Sequence, residues 1–268
     1  MNKQAFAKLK SFRFTRKVFS YPYVLFMLIF IVTPLFLILI NAFKVNGEFS
    51  LGNFVAFFKD SSSITVLERS ILVGLFTTAV CLLIGYPVAY FLTQFSSSKV
   101  IALLFIIPMW VNFLIRTLST KAIFQILDMP LGWSAVLVGM VYNYLPFMIL
   151  PLHTTLSNID KSYIEASEDL GANSFVVFLK TILPLSVPGI ISGITMVFIP
   201  TISTFAITEI LSNRRITLFG DTINYMFQSS STYGIGSVMS LIMLVMVIIS
   251  NTIISRMNKN NQGGSAVW

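Results

Sequence analysis

Acidic side chains are scarce in this 268-residue chain, 10 in all, so where they stand narrows the chemistry. Four of them, Asp160, Glu165, Glu168 and Asp169, fall between positions 160 and 169. Glu209 and Asp221 follow, beside a threonine-rich stretch. The single Cys81 and the single His153 leave no His/Cys metal cluster and no Cys–His nucleophile pair of the usual kind. A phosphate cradle would need G-x-x-x-x-G-K-[ST], and neither "GYPVAYFLT" (85–93) nor "GANSFVVFLKT" (171–181) carries its second Gly or its ending. What remains is recognition: acids that meet cations, or acids that meet a basic protein surface.

The elements that must position these acids are set by the solvent. The chain is 56% hydrophobic and 10% charged, with a mean hydropathy of +0.84, whereas soluble domains carry about 25% charged residues. Its 25 Phe and 12 Met also exclude disorder, because that surface must be buried. A helix needs about 20 apolar residues to cross a bilayer. Charge-poor runs at 23–43, 70–95, 100–115, 134–156, 185–208 and 235–255 give an all-α membrane protein of six spans. The third is short, roughly 24 Å, unless its helix continues towards Ile126 with Arg116 and Lys121 at the interface or facing protein.

Lys3, Lys8, Lys10, Arg13, Arg16 and Lys17 precede the first span, so the tail 1–22 is expected to be cytoplasmic. Six spans then return the tail 257–268, with Lys259, to the same side, leaving a transmembrane domain over 23–256. The net charge of +8 belongs to these flanks and does not call for nucleic acid. The first apolar run is long and lacks a small-x-small site, which favours an uncleaved span over a signal peptide.

The loop 157–184 breaks the pattern, being acidic on the side expected to be cytoplasmic. Asp160 is a helix cap, and Ile159, Tyr163, Ala166 and Leu170 recur at three- and four-residue spacing as an apolar side. Gly171 supplies a turn, and a second amphipathic stretch at 175–182 follows. Two short helices joined at a glycine suit a docking surface; the residues alone fit a solvated hairpin loop equally well.

The run Glu165-Ala166-Ser167, Gly171 six residues after the glutamate, and Ile182-Leu183-Pro184 resemble the EAA signature of ABC-importer permeases. Ser167 replaces the second Ala, and Thr181 stands where an Ile is expected. With "IPMWVNFLIRT" (107–117), 139–172 and 183–200, the chain is similar to the spermidine/putrescine permeases, the PotB-like type. The resemblance implies a bacterial inner-membrane (plasma-membrane) protein with the type I permease fold. It implies a second, PotC-like permease, a PotA-like ATPase dimer using ATP and Mg, and a PotD-like extracytoplasmic binding protein. ATP hydrolysis would then lie with the partner, and this chain would bind no cofactor or metal and hold no catalytic residue. Glu165, Ala166, Ser167, Leu170, Gly171, Ala172, Leu183 and Pro184 would couple it to the ATPase.

Charged and polar groups in the bilayer mark a pathway. Thr201, Thr204 and Thr208 would share one helical face closing on Glu209. For a linear polycation, spaced carboxylates and aromatic faces are wanted: Glu209, Asp221, Trp110, Tyr142, Tyr144 and Phe205 are the candidates. Ordinary packing or an interfacial belt accounts better for most of the aromatics taken singly, and a solvated rim acid accounts for Glu209 equally well. Phosphate, sulfate, iron or thiamine importers share the coupling loop. A lipid enzyme would need a metal-holding acid cluster in an apolar crevice, which the acids at 165–169 do not offer.

Overall fold

The computed structural model describes residues 20–45, 47–94 and 107–263. Among them, five helices are long and apolar enough to cross a membrane. The first, α1 (Ser20–Ala42), has a mean hydropathy of 2.9 and buries none of its apolar window. A π-type turn at Leu28–Val32 lets Pro34 enter without breaking it, and Thr33 Oγ1 donates to the Leu28 carbonyl at 2.9 Å. A hairpin of β1 (Lys44–Val45) and β2 (Glu48–Phe49) leads to α2 (Gly52–Lys59). Asn53 Nδ2 donates to the carbonyls of Asn41, Ala42 and Lys44 at 3.3, 3.1 and 3.0 Å, closing the end of α1.

Helix α3 (Ser61–Gln94) starts at an Asp60 cap, whose carboxylate accepts from the Ser62 and Ser63 N–H groups, both at 3.1 Å. It begins nine residues before the expected span at 70. The reason is that Glu68 and Arg69, which read as a boundary, are exposed side chains on a helix that outruns the membrane. Residues 100–106 of the expected third span lie outside those described. Its described part does not continue as one helix: the chain bends at 111, and Asn112 caps a new helix, α4 (Phe113–Ile126), accepting from Leu114 N at 2.8 Å.

Helices α5 (Trp133–Ser157) and α7 (Ser174–Ser203) are antiparallel neighbours, with α6 (Lys161–Asp169) between them. Tyr86, Ala89 and Leu92 of α3, Met148, Leu152 and Leu156 of α5, and Val177, Ile182 and Val197 of α7 form one core. The Tyr86 hydroxyl meets Ser186 Oγ at 2.8 Å across it. A second core at the other end joins Val73, Ala135, Met140 and Phe124 to α8 (Ala206–Leu211) through Ile207 and Leu211. Helices α9 (Phe219–Met226) and α10 (Tyr233–Gly263) complete the chain, with Phe219, Val238 and Met239 packed on Ala42 and Phe57. The loop 158–173 and the segment 204–232 therefore lie at opposite ends of the bundle.

The expected fifth span, 185–208, is corrected at both ends. Helix α7 starts eleven residues earlier because a π-type turn at Phe178–Ile182 absorbs Pro184. It stops at Ser203, where Thr204 turns to an extended backbone (φ −68°, ψ 147°). Ser203 Oγ donates to the Ile199 and Pro200 carbonyls at 3.0 and 3.2 Å, and Tyr144 donates to Pro200 at 3.3 Å. Those bonds satisfy carbonyls that the helix end leaves free. Gly220 then presses on this end: a Cβ there would lie 2.5 Å from the Thr204 carbonyl oxygen and 2.6 Å from that of Ser203. Gly220→Ala is expected to cost about 1–3 kcal/mol, seen as a lowered thermal midpoint in detergent; an unchanged midpoint would contradict this packing.

Candidate functional site

At one end of the bundle, α6 is fixed at both termini. Asp160 Oδ1 accepts from Ser162 N at 3.0 Å, which holds its carboxyl below the usual carboxylate range. After Asp169 the chain turns through Gly171 at φ +83°, a left-handed conformation that favours glycine. Asn173 Oδ1 then accepts from Val176 N at 2.9 Å and starts α7. The side facing the protein is formed by Ile159, Ile164 and Ala172, packed on the core of α3, α5 and α7.

The expected apolar side was assigned the wrong direction in part. Tyr163, Ala166 and Leu170 point outward with Glu165 and Glu168, and Leu170 is 90% exposed. Inward burial of a nine-residue helix is decided by two or three contacts, here Ile159 and Ile164, rather than by the whole stripe. Phe175, 70% exposed on the first turn of α7, extends this outward apolar surface and was not singled out from the sequence. Leu183 is half-buried against the core and Pro184 is exposed. Glu165 and Glu168 also edge a cavity of about 450 Å³ shared with Tyr90, Lys161 and Ser174.

The two departures from the signature meet. Thr181 Oγ1 donates to Ser167 Oγ at 3.2 Å, tying α6 to the first turns of α7. Ser167→Ala and Thr181→Val are each expected to loosen α6, and the double variant to cost no more than either alone. The coupling is about 1 kcal/mol, read from a double-mutant cycle on unfolding. Strict additivity would show that the two hydroxyls do not act together.

At the other end, the route residues are rearranged by the break after Ser203. Thr201 is buried in α7, its hydroxyl donating to the Val197 carbonyl at 2.6 Å, while Thr204 lies on extended backbone and Thr208 on α8. They do not share one helical face. Thr208 Oγ1 is within 2.8 and 2.7 Å of the two Asp221 oxygens, and Leu218 N donates to Asp221 Oδ2 at 2.7 Å. Asp221 is thus a buried internal brace, 2% exposed, and not an open acid on the route. Desolvation pushes its carboxyl up to about 6.

Glu209 is half-buried on α8 and pairs with Arg214, whose Nε donates to Oε1 at 2.7 Å. Tyr144 reaches Thr204 and the Pro200 carbonyl, which brings these residues to the break. Tyr142 is exposed, with the Arg116 guanidinium 6.0 Å from its ring centre. Arg116 itself is buried, its Nη1 donating to the Asn143 carbonyl at 3.4 Å. Phe205 is exposed just before α8, and Trp110 is exposed just before Asn112.

Comparisons with known proteins identify the family and the fold. Residues 5–261 match the family described as "Binding-protein-dependent transport system inner membrane component". The chain is 30% identical over 247 residues to the spermidine/putrescine transport system permease protein PotB of Escherichia coli (strain K12), covering 82% of this chain and 90% of that one. It is 34% identical over 213 residues to PotB of Haemophilus influenzae, covering 72% and 74%. Among solved structures, a bacterial ABC transporter involved in the import of the acidic polysaccharide alginate aligns with a TM-score of 0.64 at 16% identity. That alignment covers 90% of this chain and 94% of that one. The inward-facing MetNI methionine ABC transporter aligns at 0.58 with 18% identity, covering 75% and 99%. At such identities the structures speak for the fold, that of ABC-importer permeases. The chain belongs to the binding-protein-dependent transport system inner membrane component family, as a multi-pass membrane permease subunit rather than an enzyme.

Proposed function

We propose that this chain is one of two permease subunits of an ATP-driven importer of polyamines such as spermidine and putrescine. The observation that carries the reading is the similarity to spermidine/putrescine permeases over 82% of the chain. In this reading there are six spans, the third being the apolar run from 100 towards Arg116, and both termini are cytoplasmic. A second permease completes the pore, an ATPase dimer receives α6, and an extracytoplasmic binding protein delivers cargo to the opposite end. ATP and Mg are bound by the ATPase alone.

The mechanism follows from one continuous element. Helix α7 runs without a stop from the turn after Gly171 to the break at Thr204. Thirty residues at 1.5 Å each make a lever of about 45 Å. Glu165, Tyr163 and Leu170 offer the ATPase one acid and two apolar anchors, and closure of the nucleotide-bound dimer would pull on α6. The Ser167–Thr181 bond and the packed Ile164 pass that displacement to α7. At its far end α7 carries Thr201 and leads into Thr204 and Glu209, so the same rigid motion alters the cargo route. A polycation crossing there meets the Glu209 carboxylate and the faces of Tyr142, Tyr144 and Phe205.

The test is ATP-dependent uptake by the reconstituted four-subunit transporter with its binding protein, offering radiolabelled spermidine, putrescine, phosphate, sulfate, thiamine and iron in parallel. Uptake of the two polyamines alone is expected. Uptake of one of the others in their place would overturn the cargo assignment while leaving the coupling reading standing.

A further inference from the structure

We propose that Arg214 is a tethered competitor for the Glu209 carboxylate, occupying it until a cargo ammonium group is presented at the mouth. This rests on the reading of Glu209 as an acid of the cargo route. Its basis is the unequal anchoring of the two partners. Glu209 sits on α8, where Ile207 and Leu211 are core residues and Thr208 is bonded to the buried Asp221. Its position is therefore fixed. Arg214 is 73% exposed at its side chain and follows Asn213 on a loop where both residues take positive φ, 49° and 63°. That left-handed backbone is readily adopted by asparagine and is less favourable for arginine, so the loop's strained position is Arg214 itself.

The pair itself is built to be displaced. Both guanidinium contacts, from Nε and Nη2, fall on Oε1, in place of the two parallel bonds of a forked pair. Such an exposed pair shifts an equilibrium by no more than about fivefold. The competitor is nevertheless always at hand: a five-residue tether gives Arg214 an effective concentration on the order of millimolar. That concentration is already contained in the fivefold, so a free cation binds up to about fivefold more weakly than it would to an unpaired Glu209. A polyamine held over the mouth by a docked binding protein has a comparable effective concentration, and its several charges tip the exchange. Lys121 Nζ, 2.9 Å from Asn213 Oδ1, steadies the loop in the occupied state and adds a second positive charge against stray cations. Arg214 would thus be a specificity-determining residue, favouring delivered cargo over free cations by up to about fivefold.

The experiment measures binding of radiolabelled spermidine to the complete transporter in nanodiscs, without its binding protein. Arg214→Gln is expected to raise the affinity up to about fivefold, and Arg214→Lys to stay near wild type because the competing charge is retained. Glu209→Gln should lower binding, and the double variant should bind no better than Glu209→Gln alone. Basal ATP hydrolysis by each variant reports that the complex is assembled. If Arg214→Gln leaves binding unchanged or weaker while Glu209→Gln lowers it, the competitor is refuted and the Glu209 route survives. If Glu209→Gln binds spermidine as wild type does, the route reading fails and the competitor with it.

Discussion

Glu165→Lys is expected to release the ATPase from the membrane complex and to abolish ATP-driven spermidine uptake. Glu165 is exposed on a helix that Asp160 starts and the Gly171 turn ends, so its place on the outward side of α6 is set by the backbone. A carboxylate placed there can pair with a basic residue of the ATPase with only its own side chain left to order. Reversing its charge places like charges together and leaves the partner cation desolvated. Breaking a close charge pair at an interface costs 2–5 kcal/mol or more, so ATPase affinity should fall at least about thirtyfold. Co-purification of the ATPase with the tagged permease reads the loss directly. Glu165→Gln should fall between the two, since it keeps hydrogen bonding and removes only the charge. Full retention of the ATPase by Glu165→Lys would show that this acid takes no part in docking.

Asp221→Ala should have the largest effect on stability. The carboxylate accepts from the Thr208 hydroxyl and the Leu218 N–H in a site 2% exposed to solvent. Truncation leaves the Leu218 N–H buried without its acceptor, at about 1–3 kcal/mol, returns the Thr208 hydroxyl to the Phe205 carbonyl 3.0 Å away, and frees α8 from α9. Little of the variant should accumulate in the membrane. Asp221→Asn keeps an acceptor for Leu218 and should be much milder. Wild type and Asp221→Asn together test the carboxyl's raised pKa of about 6 against an ordinary 3.8. The folded state binds this proton more tightly than the unfolded state, so stability should fall as pH rises from about 4 to 6. Asp221→Asn should remove that slope, measured as the thermal midpoint in detergent. A wild-type midpoint that rises over this range would contradict a desolvation that outweighs the two hydrogen bonds to this acid.

How much of this was legible depended on whether the deciding contacts were local. The limits of α1 and α5 fell within about three residues of expectation, because charge and hydropathy alone set them. The Asp160 cap and the Gly171 turn were readable too, since each acts within its own few residues. The ends of α7 were not. Its start depends on a π-type turn that accommodates Pro184, and its stop on Gly220 pressing against carbonyls sixteen and seventeen residues away. Asp221 was read as a route acid because nothing in its neighbourhood announces Thr208, thirteen residues back, as its partner. Ser167 and Thr181 stood out as departures from a pattern, but only the fold joins them. The direction of Tyr163 and Leu170 likewise follows from which side Ile164 finds the core.

The central claim, that the outward side of α6 meets the ATPase, is tested most directly by cross-linking from single cysteines. The native Cys81 is fully buried and serves as a silent background. Ala166→Cys lies on the exposed side of α6, and Trp133→Cys lies at the opposite end of the bundle. A short bifunctional reagent should join Ala166→Cys to the ATPase subunit, with a yield that changes when nucleotide is bound, and should leave Trp133→Cys unlinked to it. Linkage to the ATPase from Trp133→Cys with none from Ala166→Cys would contradict the account.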